Sequence, residues 1–307
     1  MTGWERRRAR AWFCRAPAVP EAGKILVGTA GWSYPDWKGV LYPPRPPRGF
    51  DPLVYLARYL DLVEINSTFY RPPTPRSSES WAKKISPFPK FRFTLKLYRG
   101  FTHDLKLSGT LETDAWDEGI APLEAGGRVG AILAQFPYSF HRTAGSCSFL
   151  AALRDRFPDS PLVAEFRHGS WDSPETAELL AALGIGFCNI DQPRVSFSLG
   201  PSALATSPVG YVRLHGRNVR EWFRPGAGRD RRYDYLYRGA ELEEWEDRIR
   251  SLAGRTPEVY VVANNHFRAQ AVCNALQIRS ALDERRLKIP PLLLEAYPDL
   301  DTIAARP

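Results

Sequence analysis

The sequence has few cysteines and no long apolar run. Its four cysteines lie far apart and form no CxxC or Cys/His zinc spacing: they are Cys14, Cys147, Cys188 and Cys273. Neither a disulfide framework nor a structural zinc site is therefore indicated, and reduced thiols of this kind predict a cytoplasmic protein. No apolar run approaches the roughly 20 residues that a membrane helix needs, so we expect no association with a membrane.

Motifs for nucleotides and for metals are also missing. No GxGxxG or GxxxxGKS/T motif follows any apolar run, which argues against a nucleotide-binding open sheet. No HxE, HxH or DxH spacing supports a metal centre. The sequence by itself therefore requires no cofactor.

The composition is that of a globular protein with a sizeable core. Hydrophobic residues make up 44% of the 307 residues, charged residues 25% and aromatic residues 12%. One α/β barrel with insertions accounts for this length, because such barrels commonly have about 250 residues. The net charge of +8 and the pI near 9.4 favour a partner or substrate that carries phosphate or carboxylate groups.

Part of the positive charge lies near the N-terminus. Five arginines stand among alanines and prolines in this segment: Arg6, Arg7, Arg8, Arg10 and Arg15. No apolar segment follows them, so we predict a basic, disordered extension over residues 1–23 and not a signal peptide. We expect the barrel domain to span residues 24–290 and a C-terminal tail to span residues 291–307.

From Lys24 onward the chain repeats one unit, which is a short apolar run, a polar loop and a helical stretch. The runs are nearly continuous in apolar residues, as expected for parallel strands that are buried on both faces. Eight of them follow one another: Ile25 to Thr29, Leu62 to Asn66, Phe91 to Leu97, Val129 to Phe136, Leu162 to Phe166, Ile185 to Ile190, Tyr211 to His215, and Val259 to Ala263. Eight such strands predict an α/β fold that closes into a single-domain (β/α)8 TIM barrel.

Helical stretches separate these runs. We predict helices at Pro52 to Leu60, Ser77 to Ile85, Thr113 to Leu123, Cys147 to Phe157, Pro174 to Leu183, Glu241 to Leu252, and Phe267 to Leu282. Ser173 ahead of Pro174 is typical of a helix start, and Gly184 is typical of a helix end. The sixth connection, from Asp191 to Gly210, contains three prolines and predicts no helix. An open, doubly wound sheet is the alternative fold.

Two connections at the C-terminal face are longer than usual, which is typical of lids and binding loops. The first, Ala30 to Asp51, is rich in prolines and aromatic residues, and the second, Gly216 to Gly239, mixes arginines with aromatic residues. Four tryptophans follow strands one, five and seven: Trp32, Trp37, Trp171 and Trp222. They either anchor the loops or offer a stacking surface to a sugar ring or a nucleobase.

Polar side chains end the predicted strands, where barrel enzymes carry their active sites. Side chains alternate along a strand, so three pairs are expected to point together into the barrel mouth: Glu64 with Asn66, Glu165 with Arg167, and Arg213 with His215. The other strand ends carry Lys96, Gln135, Asp191, Asn264 and Asn265. A structural ion-pair network is the alternative for any one pair, but polar ends on seven strands favour a ligand.

The two glutamates are candidates for acid–base catalysis. Glu64 and Glu165 are able to exchange protons with a substrate, and His215 is able to act as an acid, a base or a ligand. Three cationic side chains would tune the carboxyl pKa values or bind an anionic substrate: Lys96, Arg167 and Arg213. A divalent metal bound by Glu64, Glu165, Asp191 and His215 is the alternative, although the nearby arginines oppose a cation.

Several segments at these strand ends match one known family. They include Gly31-Trp32-Ser33-Tyr34, Glu64-Ile65-Asn66-Ser67-Thr68-Phe69-Tyr70, Gln135-Phe136-Pro137, Glu165-Phe166-Arg167 with Ser170-Trp171, Tyr211-Val212-Arg213-Leu214-His215-Gly216, and Asn264-Asn265. From about Ile25 to Leu282 the chain resembles the YecE-like family, domain-of-unknown-function family 72. Ala263, Arg268 and Ala269 depart from the family pattern.

The resemblance implies a TIM barrel with a site at its strand ends, and no established reaction. Together with the polar strand ends it predicts one set of substrate-binding residues: Trp32, Tyr34, Asn66, Tyr70, Lys96, Gln135, Arg167, Trp171, Asp191, Arg213, Asn264 and Asn265. The predicted catalytic residues are Glu64, Glu165 and His215.

Three functions are consistent with this pattern. The leading hypothesis is an enzyme with hydrolase-like acid–base chemistry on a small or oligomeric anionic or hydroxylated substrate, of which a glycosidase is one form. The second is a nucleic-acid-binding protein, or a phosphodiesterase resembling barrel endonucleases, that uses the loop Gly216 to Gly239. The third is a non-catalytic barrel that binds a metabolite. The oligomeric state stays open.

Overall fold

The computed structural model describes residues 22–194, 197–222, 224, 226 and 228–306. The arginine-rich segment that we predict to be a disordered extension lies outside the described residues, except for residues 22 and 23, and so does Cys14. No helix within the described ranges is long and apolar enough to cross a membrane.

The described residues form eight parallel strands in a closed barrel, in which each strand pairs with its neighbours in chain order and the first pairs with the last. The strands are β1 Lys24–Ala30, β2 Leu62–Ile65, β3 Arg92–Lys96, β4 Val129–Gln135, β5 Leu162–Glu165, β6 Gly186–Asp191, β7 Val209–Leu214 and β8 Glu258–Ala263. The predicted (β/α)8 TIM barrel is confirmed, and each predicted run coincides with a strand to within two residues at either end. Burial on both faces explains the agreement, because it makes the runs continuous in apolar residues.

Helices connect the strands and cover the outside of the barrel. They are α1 Pro52–Leu56, α2 Pro75–Lys84, α3 Arg99–Thr102, α4 Leu111–Ala125, α5 Ala144–Arg156, α6 Pro174–Leu183, α7 Val219–Trp222, α8 Arg229–Arg232, α9 Ala240–Ala253, α10 Gln270–Leu282 and α11 Pro291–Ala296. Short 3-10 helices lie at Pro35–Trp37, Ser67–Phe69, Gly169–Trp171, Phe267–Ala269 and Pro298–Ile303. Leu293 and Leu300 are fully buried, so the segment that we predict as a tail packs against the rest of the molecule.

The ends of the helices follow local chemistry. The side chains of Thr74, Thr110 and Thr143 each accept a hydrogen bond from a backbone N–H of the first turn and begin α2, α4 and α5. Gly184 ends α6 with a left-handed φ of 62°, as the sequence predicts. Ser173 precedes α6, but none of the described backbone N–H groups donates to its side chain, so this start depends on the proline that follows.

The connection between β6 and β7 contains no helix in its described residues, 192–194 and 197–208, in agreement with the prediction. Asn189 of β6 fixes this extended segment to the barrel instead. Its Oδ1 accepts hydrogen bonds from Ser202 Oγ and from the backbone N–H of Leu204, each 2.7 Å long, and its Nδ2 donates to Leu204 O over 3.0 Å. The prolines of the segment lack the backbone donors that a helix would need.

Parallel pairing decides which polar side chains face the inside of the barrel. Glu64 pairs with Thr94 of the next strand, and Gln135 pairs with Glu165. Paired residues of parallel strands share one face of the sheet. Because Glu64 and Glu165 both contact Arg213 across the barrel, that face is the inner one. Arg213 of β7 also faces inward, because it alternates with the outward residues of its strand. The barrel interior therefore has a polar layer at the carboxyl ends of its strands.

Candidate active site

Arg213 is the centre of the polar layer. Its Nη2 lies 2.6 Å from Glu64 Oε1, and its Nη1 lies 2.6 Å from Glu165 Oε2. One guanidinium therefore bridges carboxylates from two strands on different sides of the barrel. All three side chains are buried, which makes the two contacts close and well shielded from water.

Further groups complete what we call the ion-pair network, which consists of Glu64, Glu165, Arg167 and Arg213. The Nη2 of Arg167 lies 2.6 Å from Glu165 Oε1, and its Nη1 donates a hydrogen bond of 2.8 Å to the side chain of Gln192. On the other side, the hydroxyl of Tyr211 donates to Glu64 Oε2 over 2.9 Å. Each carboxylate thus has two polar partners, as buried charges require.

Glu165 and Arg213 keep their charges around neutral pH. Burial opposes the charge of Glu165, but Arg167 and Arg213 outweigh it and hold the pKa of this carboxyl well below its ordinary value. Burial likewise opposes the charge of Arg213, and the two carboxylates reverse that effect and hold its pKa well above its ordinary value. A carboxylate with so low a pKa is a poor proton carrier. The lowered pKa therefore argues against the predicted acid–base role of Glu165.

Glu64 and Glu165 are also out of reach of a substrate. Both residues are 0% exposed, and neither lines a cavity at the mouth of the barrel. The structure therefore does not place the two carboxylates, for which we predict acid–base roles, in the wall of the mouth. The reason is a tertiary one, because Arg213 lies between them and covers them from the side of the solvent. The same guanidinium occupies the position in which the alternative hypothesis places a metal ion.

His215 lies beside the network. Its Nε2 is 3.4 Å from Glu165 Oε1, and its Nδ1 is 2.8 Å from Asn264 Nδ2. An amide donor at Nδ1 leaves the ring proton on Nε2, where it points toward the carboxylate. Burial and the neighbouring Arg167 lower the pKa of His215 to about 3, so the imidazole is neutral. His215 does not line the mouth of the barrel, and it acts as a neutral support for Glu165 and Asn264.

A cavity of about 170 Å³ opens directly above the network, at the carboxyl ends of the strands, and we call it the mouth cavity. Its walls consist of Tyr34, Asn66, Tyr70, Lys96, Gln135, Arg213, Tyr233, Asn264 and His266. Most of these residues belong to the predicted substrate-binding set, and the structure brings them together from β1, β2, β3, β4, β7 and β8 or the loops that follow. The volume lies below the range of pockets for drug-sized ligands, which indicates a small ligand.

Tyr233 and His266 line the mouth cavity, although neither belongs to the predicted set of site residues. The ring of His266 stacks on Tyr34 with centroids 4.4 Å apart and an angle of 5°. The position of His266 directly after the paired asparagines of β8 was a signal for it. Tyr233 carried no comparable signal, because it is one of several aromatic residues in a long loop.

Lys96 is the cation of the mouth cavity that has no acidic partner. Its Nζ lies 3.9 Å above the ring centroid of Phe69, and no carboxylate of the described residues lies within 4.0 Å of it. The nearest carboxylates are those of the ion-pair network, which already contact arginines. Burial, with Arg213 adding its like charge, lowers the pKa of Lys96 to about 7. This amine therefore exists in both protonation states around neutral pH.

Two further cavities adjoin the mouth cavity and share residues with it. One, of about 270 Å³, contains Trp32 and shares Tyr34, Asn66 and Tyr70 with the mouth cavity. The other, of about 230 Å³, is lined by Gln135, Pro137, Tyr138, Arg167, Gln192, Pro193, Ser198 and Trp222. Trp32 therefore lies near the predicted site, in the wall of a neighbouring cavity, and Arg167 borders the other cavity while it contacts Glu165.

Three predicted substrate-binding residues lie elsewhere. Trp171 is 0% exposed, with its ring stacked 4.0 Å from that of Phe166, and it belongs to the core. Asp191 accepts a hydrogen bond of 2.8 Å from Arg217 Nε on the outer face of the barrel, because it is one residue out of phase with the inward side chains of β6. Asn265 donates to Tyr235 O over 2.7 Å and supports the long second loop. None of the three lies in the wall of the mouth cavity, and Asp191 lines a separate cavity of about 300 Å³ together with Arg217 and Glu244.

The second long loop folds back toward the barrel. Tyr237 is fully buried, and its hydroxyl accepts a hydrogen bond of 2.8 Å from the backbone N–H of Gly216. Arg217 contacts three carboxylates, those of Asp191, Glu241 and Glu244, at 2.8, 3.4 and 3.0 Å. With Tyr233 in the wall of the mouth cavity, these contacts place the inner side of the loop over the barrel mouth. Phe223 lies outside the described residues.

The described residues contain no group of three or more His, Cys, Asp or Glu side chains placed to bind one metal ion. Glu64, Glu165 and His215 are close together, but arginines contact both carboxylates. Asp191, the fourth member of the alternative metal set, lies on the outer face of the barrel.

The closed (β/α)8 barrel makes this a TIM-barrel protein. The polar inner layer and the cavity above it lie at the carboxyl ends of the strands, which is the usual position of a site in this fold. The model of the family described as "Protein of unknown function DUF72" matches residues 26–297, and the chain belongs to this family. The resemblance that the sequence motifs indicate is thereby confirmed.

Relatives of known sequence or structure agree with this assignment. The chain is 27% identical over 287 residues to the UPF0759 protein YunF of Bacillus subtilis (strain 168), a match that covers 89% of this chain and 100% of the relative. It is similar to the crystal structure of a DUF72 family protein from Thermotoga maritima MSB8, with 36% identity, a TM-score of 0.74, and coverage of 85% of this chain and 99% of that one. A DUF72 family protein from Enterococcus faecalis V583 has 25% identity and a TM-score of 0.74, with coverage of 84% and 95%.

Proposed function

We propose that the chain is an enzyme that performs acid–base chemistry on a small anionic or hydroxylated substrate in the mouth cavity, with hydrolysis as the first reaction to test. The observation that carries this proposal is the placement of Lys96. A half-buried amine without an acidic partner, in the wall of a cavity at the catalytic end of a barrel, is costly for folding and useful for catalysis.

The charges around the cavity favour an anion. Within the ion-pair network, two arginines balance two carboxylates. The charge of a protonated Lys96 is therefore uncompensated, and a carboxylate or phosphate group of a substrate would neutralise it. Three amide side chains in the same wall, those of Asn66, Gln135 and Asn264, add neutral hydrogen-bonding groups for hydroxyls.

Lys96 also replaces the glutamates as the candidate proton carrier. A general base works best when its pKa lies near the operating pH, and burial brings the pKa of Lys96 to about 7. In a hydrolysis, the neutral amine would take a proton from the attacking water. Arg213 would stabilise the negative charge that develops on the substrate, because it lines the same cavity and keeps its own charge.

The glycosidase form of the hypothesis has less support from this geometry. A glycosidase needs two carboxyl groups that reach the scissile bond from either side. Glu64 and Glu165 are instead bridged by one guanidinium and are 0% exposed. We therefore favour esters, amides or phosphomonoesters of small acids as substrates.

Binding and turnover measurements test the proposal. We expect calorimetric titration to detect binding of phosphate or oxalate, and we expect Lys96→Met to weaken it about tenfold, which corresponds to one charge-assisted hydrogen bond. With a panel of small esters and phosphomonoesters, Lys96→Met should lower kcat about 100-fold. The exposed Lys106, replaced by Met, is the matched control and should change neither value. Equal behaviour of the two variants would refute the proposal, and binding without turnover would favour the metabolite-binding barrel.

A second candidate function is nucleic-acid binding by the long second loop. Arg231 and Arg232 are exposed next to Tyr233, which lines the mouth cavity, so phosphates and a base would have partners on the same rim. The double variant Arg231→Ala with Arg232→Ala should then weaken binding of a single-stranded oligonucleotide and reduce the slope of its salt dependence. Binding that is absent or independent of salt would exclude this function.

A further inference from the structure

We propose that Lys96 is a covalent nucleophile that forms an imine with the carbonyl group of a small oxo acid bound in the mouth cavity. The inference rests on the proposed function, because it assumes that the same cavity takes an anionic substrate. It goes further by naming the substrate class and by giving the amine a bond to the substrate.

The position of the amine is the first argument. Lys96 ends β3, and its side chain emerges from the inner face of a strand whose backbone is fixed on both sides by parallel pairing. Its Nζ lies over the ring of Phe69. The ring has no hydrogen-bonding atom that would hold the amine in one orientation. In the part of the chain that the structure describes, no carboxylate comes within 4.0 Å of this nitrogen. The lone pair of the neutral amine is therefore free to meet a ligand in the cavity.

The second argument concerns Arg213, which lines the same cavity. Both of its Nη atoms contact carboxylates, but its buried Nε finds no acceptor among the described residues. This N–H is not accessible from the cavity, so a ligand carboxylate would be attracted by the charge of the guanidinium that borders the cavity and not by a hydrogen bond to Nε. A carboxylate placed there would have its neighbouring carbonyl carbon in the cavity that the Lys96 amine borders.

Size and charge select the oxo acid. The mouth cavity of about 170 Å³, taken without the two adjoining cavities, has room for a molecule of a few carbon atoms. The amine is available as a nucleophile because burial and Arg213 lower its pKa to about 7. An exposed lysine with a pKa of about 10.4 is neutral in only about one molecule in a thousand near pH 7.4.

The covalent step balances without an oxidant or a metal. The Nζ lone pair forms a bond to the carbonyl carbon, and the carbonyl π electrons move to the oxygen, which takes up a proton. The carbinolamine then loses water as the C=N bond forms. Tyr233 and His266 lie in the same wall and provide groups that give and accept these protons. The positive iminium nitrogen would stabilise a carbanion on the adjacent carbon, which is the chemistry of bond cleavage or proton exchange next to a carbonyl.

Reductive trapping tests the inference on the full chain. The protein is incubated with pyruvate or glyoxylate and treated with sodium borohydride, and tandem mass spectrometry locates the adduct. Hydride addition to the imine carbon leaves a secondary amine, with a mass increase equal to that of the oxo acid less one oxygen atom. We expect the label on Lys96 to exceed that on the exposed Lys106 at least about tenfold. Acetone, which lacks the carboxylate, should label Lys96 at least about tenfold less than pyruvate does.

Two variants complete the test. Lys96→Arg keeps the positive charge but cannot form an imine that borohydride traps in this way, so the specific label should disappear. Lys106→Met should keep the label on Lys96. Labelling spread evenly over surface lysines, or a label on the protein that is unchanged in Lys96→Arg, would overturn the inference. If phosphate binding still depends on Lys96 in that case, the proposed function stands alone. If neither ligand nor label is found, both fail.

Discussion

Removing Arg213 should destabilise the fold strongly, because its guanidinium is the link between two buried carboxylates. In Arg213→Met, Glu165 retains Arg167 at 2.6 Å, but Glu64 loses its cationic partner. Removing one partner of a buried ion pair typically costs about 3–5 kcal/mol, because the remaining charge stays buried without compensation. We expect a loss of this size in the free energy of unfolding, and Met limits the loss of packing volume.

Urea-induced unfolding at neutral pH, followed by tryptophan fluorescence, measures this loss. The matched control is Arg285→Met, which breaks an ion pair of 2.9 Å to Asp283 whose side chains are 59% and 37% exposed. An exposed pair of this kind contributes less than about 1 kcal/mol. The double variant Glu64→Gln with Arg213→Met should recover a substantial part of the loss, because it removes the uncompensated charge.

Two results would refute this reasoning. One is an Arg213→Met protein as stable as the Arg285→Met control, which would mean that the buried charges relax into water. The other is a double variant no more stable than the single one, which would mean that packing and not charge is responsible. If Arg213→Met yields no folded protein, the double variant carries the test, since it should still fold.

Three other predictions concern stability and packing. The pKa of Glu165 is lowered in the folded state, so this carboxylate stabilises the fold above its ordinary pKa of 4.5. The stabilisation is lost as the pH falls below that value, and Glu165→Gln should therefore reduce the pH dependence of stability in acid. The pKa of Lys96 in the folded protein is about 7, below its ordinary value of 10.5, so the protonated amine lowers the stability of the fold below pH 7 and this loss fades toward pH 10.5. Lys96→Met should therefore raise the free energy of unfolding by about 1 kcal/mol or more at pH 6 and by little at pH 10. Thermal unfolding should show that Trp171→Ala costs about 3–5 kcal/mol as a cavity in the core, whereas Trp32→Ala costs less and acts mainly on ligand binding.

The polar layer of this barrel has two parts, which differ in whether their charged side chains have oppositely charged partners. The ion-pair network contains two arginines and two carboxylates in mutual contact, of which Glu64, Glu165 and Arg213 are buried. The wall above it contains a lysine with no acidic partner among the described residues and a set of amides and aromatic rings. The network fixes Arg213 from below, so that the cavity has a rigid cationic floor. A substrate meets this floor and Lys96, and not the carboxylates.

The sequence alone determined the strands and the class of fold. Strands of a parallel barrel are buried on both faces, so each appears as a short apolar run with polar residues at its end. Two other features were predicted for equally local reasons. Gly184 ends a helix because it adopts the left-handed backbone conformation, and the sixth connection lacks a helix in its described residues because it contains prolines. Alternation along a strand also placed Arg213 and His215 on one face.

Only the tertiary structure decided which polar strand ends meet and which reach solvent. Glu64 and Arg213 are 149 residues apart, and no local pattern reveals that one guanidinium covers two carboxylates. Whether Asp191 faces inward depends on the register of β6 with β7, which places it on the outer face. The isolation of Lys96 is likewise a property of the whole barrel, because it requires that every nearby carboxylate already has a partner.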